Sequence, residues 1–243
     1  SGSITMNLVI DFGNTNIKCG IFDANRLIDQ LSFPGTKEVR DFINQSIYYQ
    51  IGVCSVKQRK ADIFEAIPEL KSALFLSHTT PSPLRIDYKT PETLGMDRLA
   101  AAIGANAIFP EKSIMVIDIG TCITYDFVTR EGVYEGGLIS PGIELRYNAM
   151  NDYTNNLPLL NQRDTSLLIG KSTEESMVSG VINGIAGEMQ SHISQFMLNN
   201  ADLKVIMTGG GAKIFESKIK SDIFVALEIV LVGLNRVLEY NVE

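Results

Sequence analysis

The first third of the chain alternates short apolar runs with turn residues. Residues 8–11, 17–22 and 26–33 are rich in β-branched and aromatic side chains, and residues 23–25 form a turn between the last two. Runs of this length and composition are typical of β-strands. We therefore predict an antiparallel meander of three strands at the start of a domain. Further strands are predicted at residues 51–56 and 74–76.

Apolar residues at helical spacing separate these runs. Residues 37–46 and 61–64 predict helices, and the Ala-rich residues 99–108 predict a helix that is entered through Asp97 and closed by Pro110. The second half repeats the alternation. Strands are predicted there at residues 114–117, 124–129, 137–139 and 205–207, and helices at residues 178–198 and 223–238. The pattern predicts an α/β protein with mixed sheets flanked by helices.

Two segments of the chain are nearly the same. Residues 8–15 read Leu-Val-Ile-Asp-Phe-Gly-Asn-Thr, and residues 115–122 read Met-Val-Ile-Asp-Ile-Gly-Thr-Cys. Each is an apolar strand that ends in Asp and continues into Gly and small polar residues, a combination that suits a tight turn around a polyphosphate. Because one copy lies in each half, we predict two similar domains, residues 6–110 and 111–243, with a cleft between them.

Composition and charge narrow the range of functions. The chain has 243 residues, a formal net charge of −7 and a pI of about 5.0. Such a chain has no basic field for nucleic acid, and no apolar stretch approaches the roughly 20 residues that a membrane span needs. Its three cysteines lack metal-ligand spacing and cannot all pair, which favours a reducing compartment. We therefore expect a cytoplasmic protein with small-molecule partners.

The first acidic loop has two interpretations. Its backbone amides and the Thr15 hydroxyl would bind phosphate oxygens, while Asp11 holds a hydrated Mg²⁺ and Lys18 offsets charge. Alternatively, it is a β-hairpin whose Gly and Asn residues serve only the turn. The second copy favours the phosphate interpretation. The residues concerned are Asp11, Phe12, Gly13, Asn14, Thr15, Asn16, Ile17 and Lys18.

The second copy continues into the next strand with further polar residues. Thr124 and Asp126 are two positions apart and therefore share one face of that strand. Asp126 either extends the polar series of the loop or caps a solvated strand edge.

The segment from Gly95 to Arg98 opens the Ala-rich helix. An Asp at a helix start can accept the proton of a substrate hydroxyl, as the catalytic Asp of kinases does, and a neighbouring Arg can bind a carboxylate with two parallel hydrogen bonds. The alternative is structural, because Asp is a preferred N-cap and Arg98 would then be an ordinary surface residue of the first turn. The residues alone do not decide between the catalytic and the structural interpretation.

Two glycine-containing segments resemble nucleotide loops. Residues 170–173 resemble the end of a Walker A loop, but that motif needs Gly where the chain has Thr165. Residues 208–211 follow a predicted strand, but the third glycine of a dinucleotide fingerprint would fall on Ile214. We reject both motifs. The second segment either lets a flat ring or ribose approach the backbone or is a strand-to-helix turn.

Taken together and in order, the motifs resemble the type III pantothenate kinase family, which belongs to the superfamily of acetate and sugar kinases, actin and the heat-shock chaperone ATPases. The resemblance runs from Asp11 to about Asn241. It rests on Asp-x-Gly-Asn-Thr-x-x-Lys at 11–18, Tyr88 with residues 90–95, Gly-x-Asp-Arg at 95–98, Asp-x-Gly-Thr at 118–121, residues 136–137, 140–142 and 169–173, and Thr-Gly-Gly at 208–210.

The resemblance implies two actin-like (ribonuclease H-like) domains and a kinase that transfers phosphate from ATP to the hydroxyl of pantothenate, the first step toward coenzyme A. It implies that residues 11–18 and Thr121 hold the ATP phosphates, that Asp97 is the proton acceptor, and that Asp118 belongs to a monovalent-cation site. The resemblance also implies Mg²⁺ and a monovalent cation, K⁺ or NH₄⁺, as cofactors. It further implies that the protein is a homodimer. Pantothenate would contact Tyr88, Gly95, Met96, Asp97, Arg98 and Thr173.

The sequence departs from the family at two consecutive positions that follow the second Asp-x-Gly-Thr motif. The family usually continues Asp-x-Gly-Thr with Ala and Thr, where this chain has Cys122 and Ile123. Two alternatives remain beside the kinase: another enzyme of the superfamily acting on a different small substrate or hydrolysing polyphosphate, and a non-catalytic regulator on the same fold. The presence of Asp97, Arg98 and Asp118 argues against the regulator.

Overall fold

The structure, a computed structural model, describes residues 6–56, 58–161 and 164–242. Strands and helices alternate along the described chain. The strands are β1 (Met6–Phe12), β2 (Ile17–Asp23), β3 (Arg26–Phe33), β4 (Gln50–Ser55), β5 (Leu74–Phe75), β6 (Arg85–Ile86), β7 (Ile114–Ile119), β8 (Cys122–Val128), β9 (Val133–Pro141), β10 (Lys204–Thr208) and β11 (Ile223–Val225). The α-helices are α1 (Thr36–Ile43), α2 (Lys60–Ala66), α3 (Met96–Ile108), α4 (Ile143–Asp152), α5 (Thr173–Asn199), α6 (Ala212–Glu216) and α7 (Ile229–Tyr240).

The chain divides into two compact units. The first comprises the described residues of Ser1–Glu111, Val128–Glu135 and Glu228–Glu243, and the second comprises Lys112–Phe127 and Gly136–Leu227. The first unit therefore takes two segments from the C-terminal half of the chain, including the whole of α7.

The first unit is built on a sheet with the strand order β3-β2-β1-β4-β5. Strands β1, β2 and β3 pair antiparallel, which confirms the predicted meander, and β4 pairs parallel to β1. Strand β1 is buried along almost its whole length, and with the flanking strands it contributes to a core that includes Leu8, Ile10 and Val53. This register brings the end of β1 against both β2 and β4.

Helices α3 and α7 pack closely against each other in the first unit. A Cβ atom at Gly104 would overlap the carbonyl oxygen of Ile229, and one at Gly233 would overlap that of Ala100. Two glycines therefore let the helix backbones touch. This contact fixes α3, whose first turn carries the Asp97–Arg98 pair.

The second unit contains strands in the order β11-β10-β7-β8-β9, and β10 pairs parallel to both β7 and β11. The start of β9, at Val133 and Tyr134, belongs to the first unit, and there it pairs parallel with β6. Helix α5 covers the second core with an apolar stripe at helical spacing, which includes Val178, Ile182 and Ile185. In the described part of the chain, no helix is both long and apolar enough to span a membrane.

The prediction of a single helix at residues 223–238 is wrong. Residues Ile223–Val225 form β11, and α7 begins only at Ile229. In β11 the exposed Phe224 alternates with Ile223 and Val225, which are partly buried against the core of the second unit. Because pairing with β10 is a tertiary contact, the apolar spacing of this segment alone does not reveal it.

Candidate active site

Asp11 lies near the end of β1, where two neighbouring strands meet it. Its register partners are Lys18 on β2 and Cys54 on β4. The residue is only 8% exposed. The thiol of Cys54 donates a hydrogen bond to Oδ1 of Asp11 at 3.3 Å. The sheet therefore places a carboxylate, a thiol and an ammonium-bearing side chain at one point.

The electrostatic environment of Asp11 favours a cation. Burial raises the pKa of this carboxyl to about 6. The Cys54 hydrogen bond opposes that rise, the carboxylate of Asp97 adds to it, and Lys18 lowers the pKa again. Asp11 and Asp97 are thus near enough to repel each other within the same unit. A bound cation would relieve both the desolvation and the repulsion.

The turn that follows Asp11 is exposed and anchored at both ends. Phe12 and Ile17 are buried register partners, while Asn14, Thr15 and Asn16 lie at the surface between them. The loop is therefore the tip of a β-hairpin, as the structural alternative requires. A hairpin whose tip is exposed does not exclude the phosphate interpretation.

Asp97 lies within the first turn of α3, and it is not the residue at which the helix is entered. The helix begins at Met96 with Gly95 as N-cap, and Oδ1 of Asp97 accepts a hydrogen bond from the backbone N–H of Arg98 at 2.8 Å. A Cβ at Gly95 would lie 2.6 Å from the same oxygen. A larger residue at position 95 would therefore displace the Asp97 carboxylate from this position.

Arg98 is buried to 9% exposure, which excludes its interpretation as an ordinary surface residue. Tyr88 is half-buried and packs its ring against Tyr134, with centroids 6.1 Å apart. The backbone N–H of Asp87 donates to the carbonyl of Tyr134 at 2.9 Å, and this bond holds the neighbouring Tyr88 beside Tyr134. The first unit thus carries Asp11, the 12–18 turn, Tyr88 and residues 95–98 together.

The second acidic loop belongs to the second unit. Asp118 is partly buried near the end of β7, directly opposite Thr208 in the parallel pair with β10. A Cβ at Gly209 would overlap Oδ1 of Asp118, and Gly209 has a φ of +85°. The glycine run at 209–211 therefore lets the chain turn after β10 against Asp118, and Gly211 is the N-cap of α6.

Thr121 is exposed in the second loop, and a neighbouring loop holds its backbone. The backbone N–H of Gly142 donates to the carbonyl of Thr121 at 3.0 Å. In the strand that follows, Asp126 is 1% exposed. It is therefore a buried residue, and the alternative that it caps a solvated strand edge is wrong. Thr124 on the same face has a buried hydroxyl oxygen without a hydrogen-bond partner.

Residues 170–173 lead into helix α5, which begins at Thr173, and this agrees with rejection of the Walker motif. Ser172 is the N-cap of α5 and its hydroxyl accepts from the N–H of Glu175 at 3.1 Å. The carboxylate of Glu175 in turn accepts from the N–H of Lys171 at 2.7 Å. Reciprocal bonds of this kind are a helix-capping arrangement. Thr173 is exposed as the first residue of α5.

Sequence reasoning missed Cys54, although it touches Asp11. Its strand reads as an ordinary buried run, and the only available signal is that a donor-bearing side chain ends a strand parallel to β1. Among the described residues, no group of three or more His, Cys, Asp or Glu side chains is arranged to hold a metal ion. A divalent cation here would need to take most of its oxygen ligands from water and substrate, as Mg²⁺ commonly does.

Comparison with known proteins points to one family. The sequence matches the family model of type III pantothenate kinase over residues 7–195. A protein of that name from Cytophaga hutchinsonii is 40% identical over 237 residues, covering 98% of this chain and 100% of the relative. Another from Phocaeicola vulgatus is 40% identical over 248 residues, covering 97% of this chain and 99% of the relative.

Solved structures share the fold at low sequence identity. A Baf family protein from Campylobacter jejuni is 19% identical with a TM-score of 0.61, over 96% of this chain and 98% of that one. The ROK hexokinase of Thermus thermophilus is 14% identical with a TM-score of 0.57, over 98% of this chain and 100% of that one. At these identities the likeness shows the fold alone, and the predicted actin-like α/β fold class is confirmed.

Proposed function

The chain belongs to the type III pantothenate kinase family, and from that premise we propose that it transfers the γ-phosphoryl group of ATP to the hydroxyl of pantothenate. The product is 4′-phosphopantothenate, and the reaction is the first step of coenzyme A biosynthesis. The observation that carries the proposal is the pair of carboxylates at the end of β1 and the start of α3. Asp97 raises the pKa of the buried Asp11, so the two groups act on one small region.

The two carboxylates have different roles in this proposal. Asp97 accepts the proton of the pantothenate hydroxyl as its oxygen attacks the γ-phosphorus in line with the departing ADP. Since Oδ1 of Asp97 already accepts from the N–H of Arg98, we assign the proton to Oδ2. Asp11 instead stays ionised and would hold Mg²⁺ through water. Magnesium supplies charge neutralisation on the phosphates when it is bound.

The ATP phosphates are assigned to the two acidic loops. In the first unit the exposed amides of residues 13–16, the Thr15 hydroxyl and Lys18 bind phosphate oxygens, and in the second unit Thr121 does so. Helix and turn amides are suited to this because they present fixed donors to an anion. That both loops act on one ATP across a cleft stays a prediction.

The pantothenate site is assigned to the residues around the start of α3. Arg98 binds the substrate carboxylate, because a guanidinium presents parallel donors to both carboxylate oxygens. Tyr88, held against Tyr134, contacts the aliphatic part of the substrate. Gly95, Met96 and Thr173 complete the proposed set.

A monovalent cation, K⁺ or NH₄⁺, is assigned to Asp118. This carboxylate is partly buried and lies close to Gly209, which also lies close to the backbone of Ile119. Backbone carbonyls and one carboxylate are oxygen ligands suited to a large monovalent ion. The departure at Cys122 lies beside this site, and Cys122 is exposed.

Exposed apolar side chains in the second unit support a homodimer. Leu168 and Ile169 are 79% and 77% exposed in the segment before α5. A cavity of about 410 Å³ between α4 and α5 is lined mostly by apolar residues, among them Leu145 and Met177, together with Arg146 and Ser176. Clusters of exposed apolar side chains commonly mark protein interfaces. We assign this surface, named here the α4–α5 surface, to contact with a second copy of the chain.

The proposed location is the cytoplasm. Cys19, Cys54 and Cys122 are all free thiols, which supports a reducing compartment. ATP and pantothenate are the proposed partners, without nucleic acid or membrane.

Mass spectrometry tests the activity directly. Purified protein with ATP, Mg²⁺, K⁺ and pantothenate should give phosphopantothenate and ADP in equal amounts, and the Asp97→Asn variant serves as the control. Formation of ADP with another hydroxylated acid but not with pantothenate would support a different enzyme of the superfamily. Phosphate release from polyphosphate alone would support a hydrolase, and ATP binding without any product would support the regulator.

A further inference from the structure

Arg146, in the second turn of α4, binds the loop that precedes its own helix. Its Nε donates to the carbonyl oxygen of Pro141 at 2.9 Å, and its Nη2 donates to the hydroxyl of Ser140 at 2.9 Å. The same Nη2 forms an ion pair with Oε2 of Glu188 on α5 at 2.6 Å. One guanidinium therefore joins the end of β9, the start of α4 and the middle of α5.

Glu188 is itself held in place from the strand side. The hydroxyl of Tyr125 on β8 donates to Oε1 of Glu188 at 2.8 Å. Partial burial opposes ionisation of Glu188, but the hydrogen bonds from Arg146, Tyr125 and Ser140 outweigh it and lower its pKa. His192 packs edge-on against the Tyr125 ring, with centroids 4.9 Å apart. The carboxylate is therefore charged and its orientation is fixed.

The loop that Arg146 binds lies directly on the second phosphate loop. The N–H of Gly142 donates to the carbonyl of Thr121 at 3.0 Å. A Cβ at Gly142 would overlap the carbonyl oxygens of Gly120 and Thr121. Contact this close transmits displacement, because packed atoms cannot move past each other without cost. A shift of residues 140–142 therefore shifts the backbone of Thr121.

From this chain of contacts, and resting on the proposed function, we infer that Arg146 is a positioning residue for nucleotide binding. It acts through residues 140–142 on Gly120 and Thr121 and does not touch ATP. The planar guanidinium holds its donors in one rigid fork, so it fixes the loop more tightly than a lysine would. Glu188 orients the fork, and Tyr125 orients Glu188.

A purely structural role for the same network makes a different prediction. In that case Arg146 would only stabilise the packing of α4 on α5, and ATP affinity would follow stability in every variant. The two roles separate in a double variant. The double variant Arg146→Met/Glu188→Gln eliminates the negative charge that Arg146→Met alone leaves without its cation, and it keeps an acceptor for the Tyr125 hydroxyl. It does not restore the bonds to Ser140 and Pro141.

The experiment compares Arg146→Met, Arg146→Lys, Glu188→Gln and the double variant Arg146→Met/Glu188→Gln with the wild-type chain. Calorimetry gives the Kd for Mg·ATP without turnover, thermal melting gives Tm, and steady-state assays give both KM values. We expect Arg146→Met to raise the Kd for ATP about tenfold, as loss of an orienting partner typically does, with KM for pantothenate unchanged. The Kd for ATP of Arg146→Lys should lie between those of the wild type and Arg146→Met.

The double variant decides between the roles. Positioning predicts that it recovers the Tm lost in Arg146→Met while its Kd for ATP stays raised. Recovery of both quantities, or an unchanged Kd for ATP in a folded Arg146→Met chain, overturns the inference. Arg40→Met is the matched control, because it removes the Arg40–Glu69 ion pair (3.0 Å) in the first unit and should leave the Kd for ATP unchanged.

Formation of phosphopantothenate by the wild-type chain tests the proposed function separately from the role of Arg146. If the wild-type chain binds ATP but forms no phosphopantothenate, the substrate assignment fails, and the comparison of ATP affinities still decides the role of Arg146. If the wild-type chain does not bind ATP, both the assignment of the phosphate loops and this inference are overturned.

Discussion

The thiol of Cys54 donates a hydrogen bond to Oδ1 of Asp11 across two parallel strands, at 3.3 Å. Both residues are buried, so the bond is made away from solvent. It is among the causes that lower the pKa of Asp11, against the larger effect of burial. Because a hydrogen bond to a buried charged group is costly to leave unmade, Cys54 should help to keep Asp11 ionised at neutral pH.

Cys54→Val should therefore shift the pH dependence of the reaction. Valine fills similar space but donates no hydrogen bond, so the pKa of Asp11 rises above its wild-type value of about 6. Since the proposed role of Asp11 requires its carboxylate form, the acid limb of kcat/KM should move to higher pH. The measurement is a pH profile of phosphopantothenate formation between pH 5 and pH 9.

Two variants control this experiment. Cys54→Ser keeps a donor at the same position and should leave the acid limb near that of the wild type. Cys19→Val removes a second buried thiol on β2 that makes no hydrogen bond to Asp11 in the described structure. An acid limb that is the same in Cys54→Val as in the wild type would separate the thiol from the ionisation of Asp11.

Asp11→Asn should make the protein more stable at neutral pH. Below pH 4 the carboxyl is protonated in both the folded and the unfolded chain. Between pH 4 and 6 only the folded chain holds the proton, because its pKa is raised from 3.8 to about 6. Stability therefore falls as the pH rises through this window, and above pH 6 the folded chain carries a desolvated charge that the unfolded chain hydrates. The shift corresponds to roughly 3 kcal/mol.

Urea denaturation of wild type and Asp11→Asn at pH 7.5 and pH 4.5, without Mg²⁺ or ATP, measures this difference. The variant should be more stable at pH 7.5, and most of its advantage should disappear at pH 4.5. Asp62→Asn provides a control of opposite sign, because the hydrogen bond from Arg59 lowers the pKa of the exposed Asp62. Equal stability of wild type and Asp11→Asn at pH 7.5 would contradict the raised pKa.

The elements that sequence patterns predicted best are those whose stability is local. The three strands of the meander are short apolar runs separated by turn residues, and they pair with their neighbours along the chain, so their position follows from residues 8–33 alone. Strand β11 has three residues and exists because β10 lies beside it. Its apolar residues run on toward α7 with helical spacing, and a sequence pattern cannot separate the two elements without the partner strand.

The residues of the candidate site also divide into those found by local motifs and those that depend on long-range contacts. Asp11 and the 12–18 turn lie in one continuous segment, and Gly95, Asp97 and Arg98 lie in another, so local motifs find them. The contacts that orient these groups join distant parts of the chain: Cys54 is 43 residues from Asp11, and Glu188 is 42 residues from Arg146. Such pairs depend on strand order and helix packing. A single sequence carries no local signal for them.

Asp97→Asn should reduce turnover by about 10² to 10⁴-fold, the usual contribution of a general base. Asparagine keeps the size of the side chain, and its Oδ1 can still accept from the N–H of Arg98, as Asp97 does at 2.8 Å. The start of α3 should therefore be preserved, and the variant should melt like the wild type and bind ATP with similar affinity. Near-normal formation of phosphopantothenate by Asp97→Asn would remove this residue from the role.

Activity should require K⁺ or NH₄⁺ and should not be supported by Na⁺ at equal concentration. The proposed site pairs the Asp118 carboxylate with a backbone turn fixed by the positive φ of Gly209, and a rigid set of oxygens discriminates between ions by size. Rates are measured with each chloride salt while choline chloride holds the ionic strength constant. Indifference to the cation, or the same cation response in Asp118→Asn, would count against the assignment.

Leu168→Asp should dissociate the proposed homodimer. Leu168 is 79% exposed within the α4–α5 surface, and a carboxylate placed there would be buried without a partner in a dimer. Light scattering coupled to size-exclusion chromatography should show a dimer for the wild type and a monomer for the variant. Leu198→Asp is a matched control, because Leu198 is 84% exposed near the opposite end of α5. A monomeric wild type, or dissociation by Leu198→Asp but not by Leu168→Asp, would place the interface elsewhere or remove it.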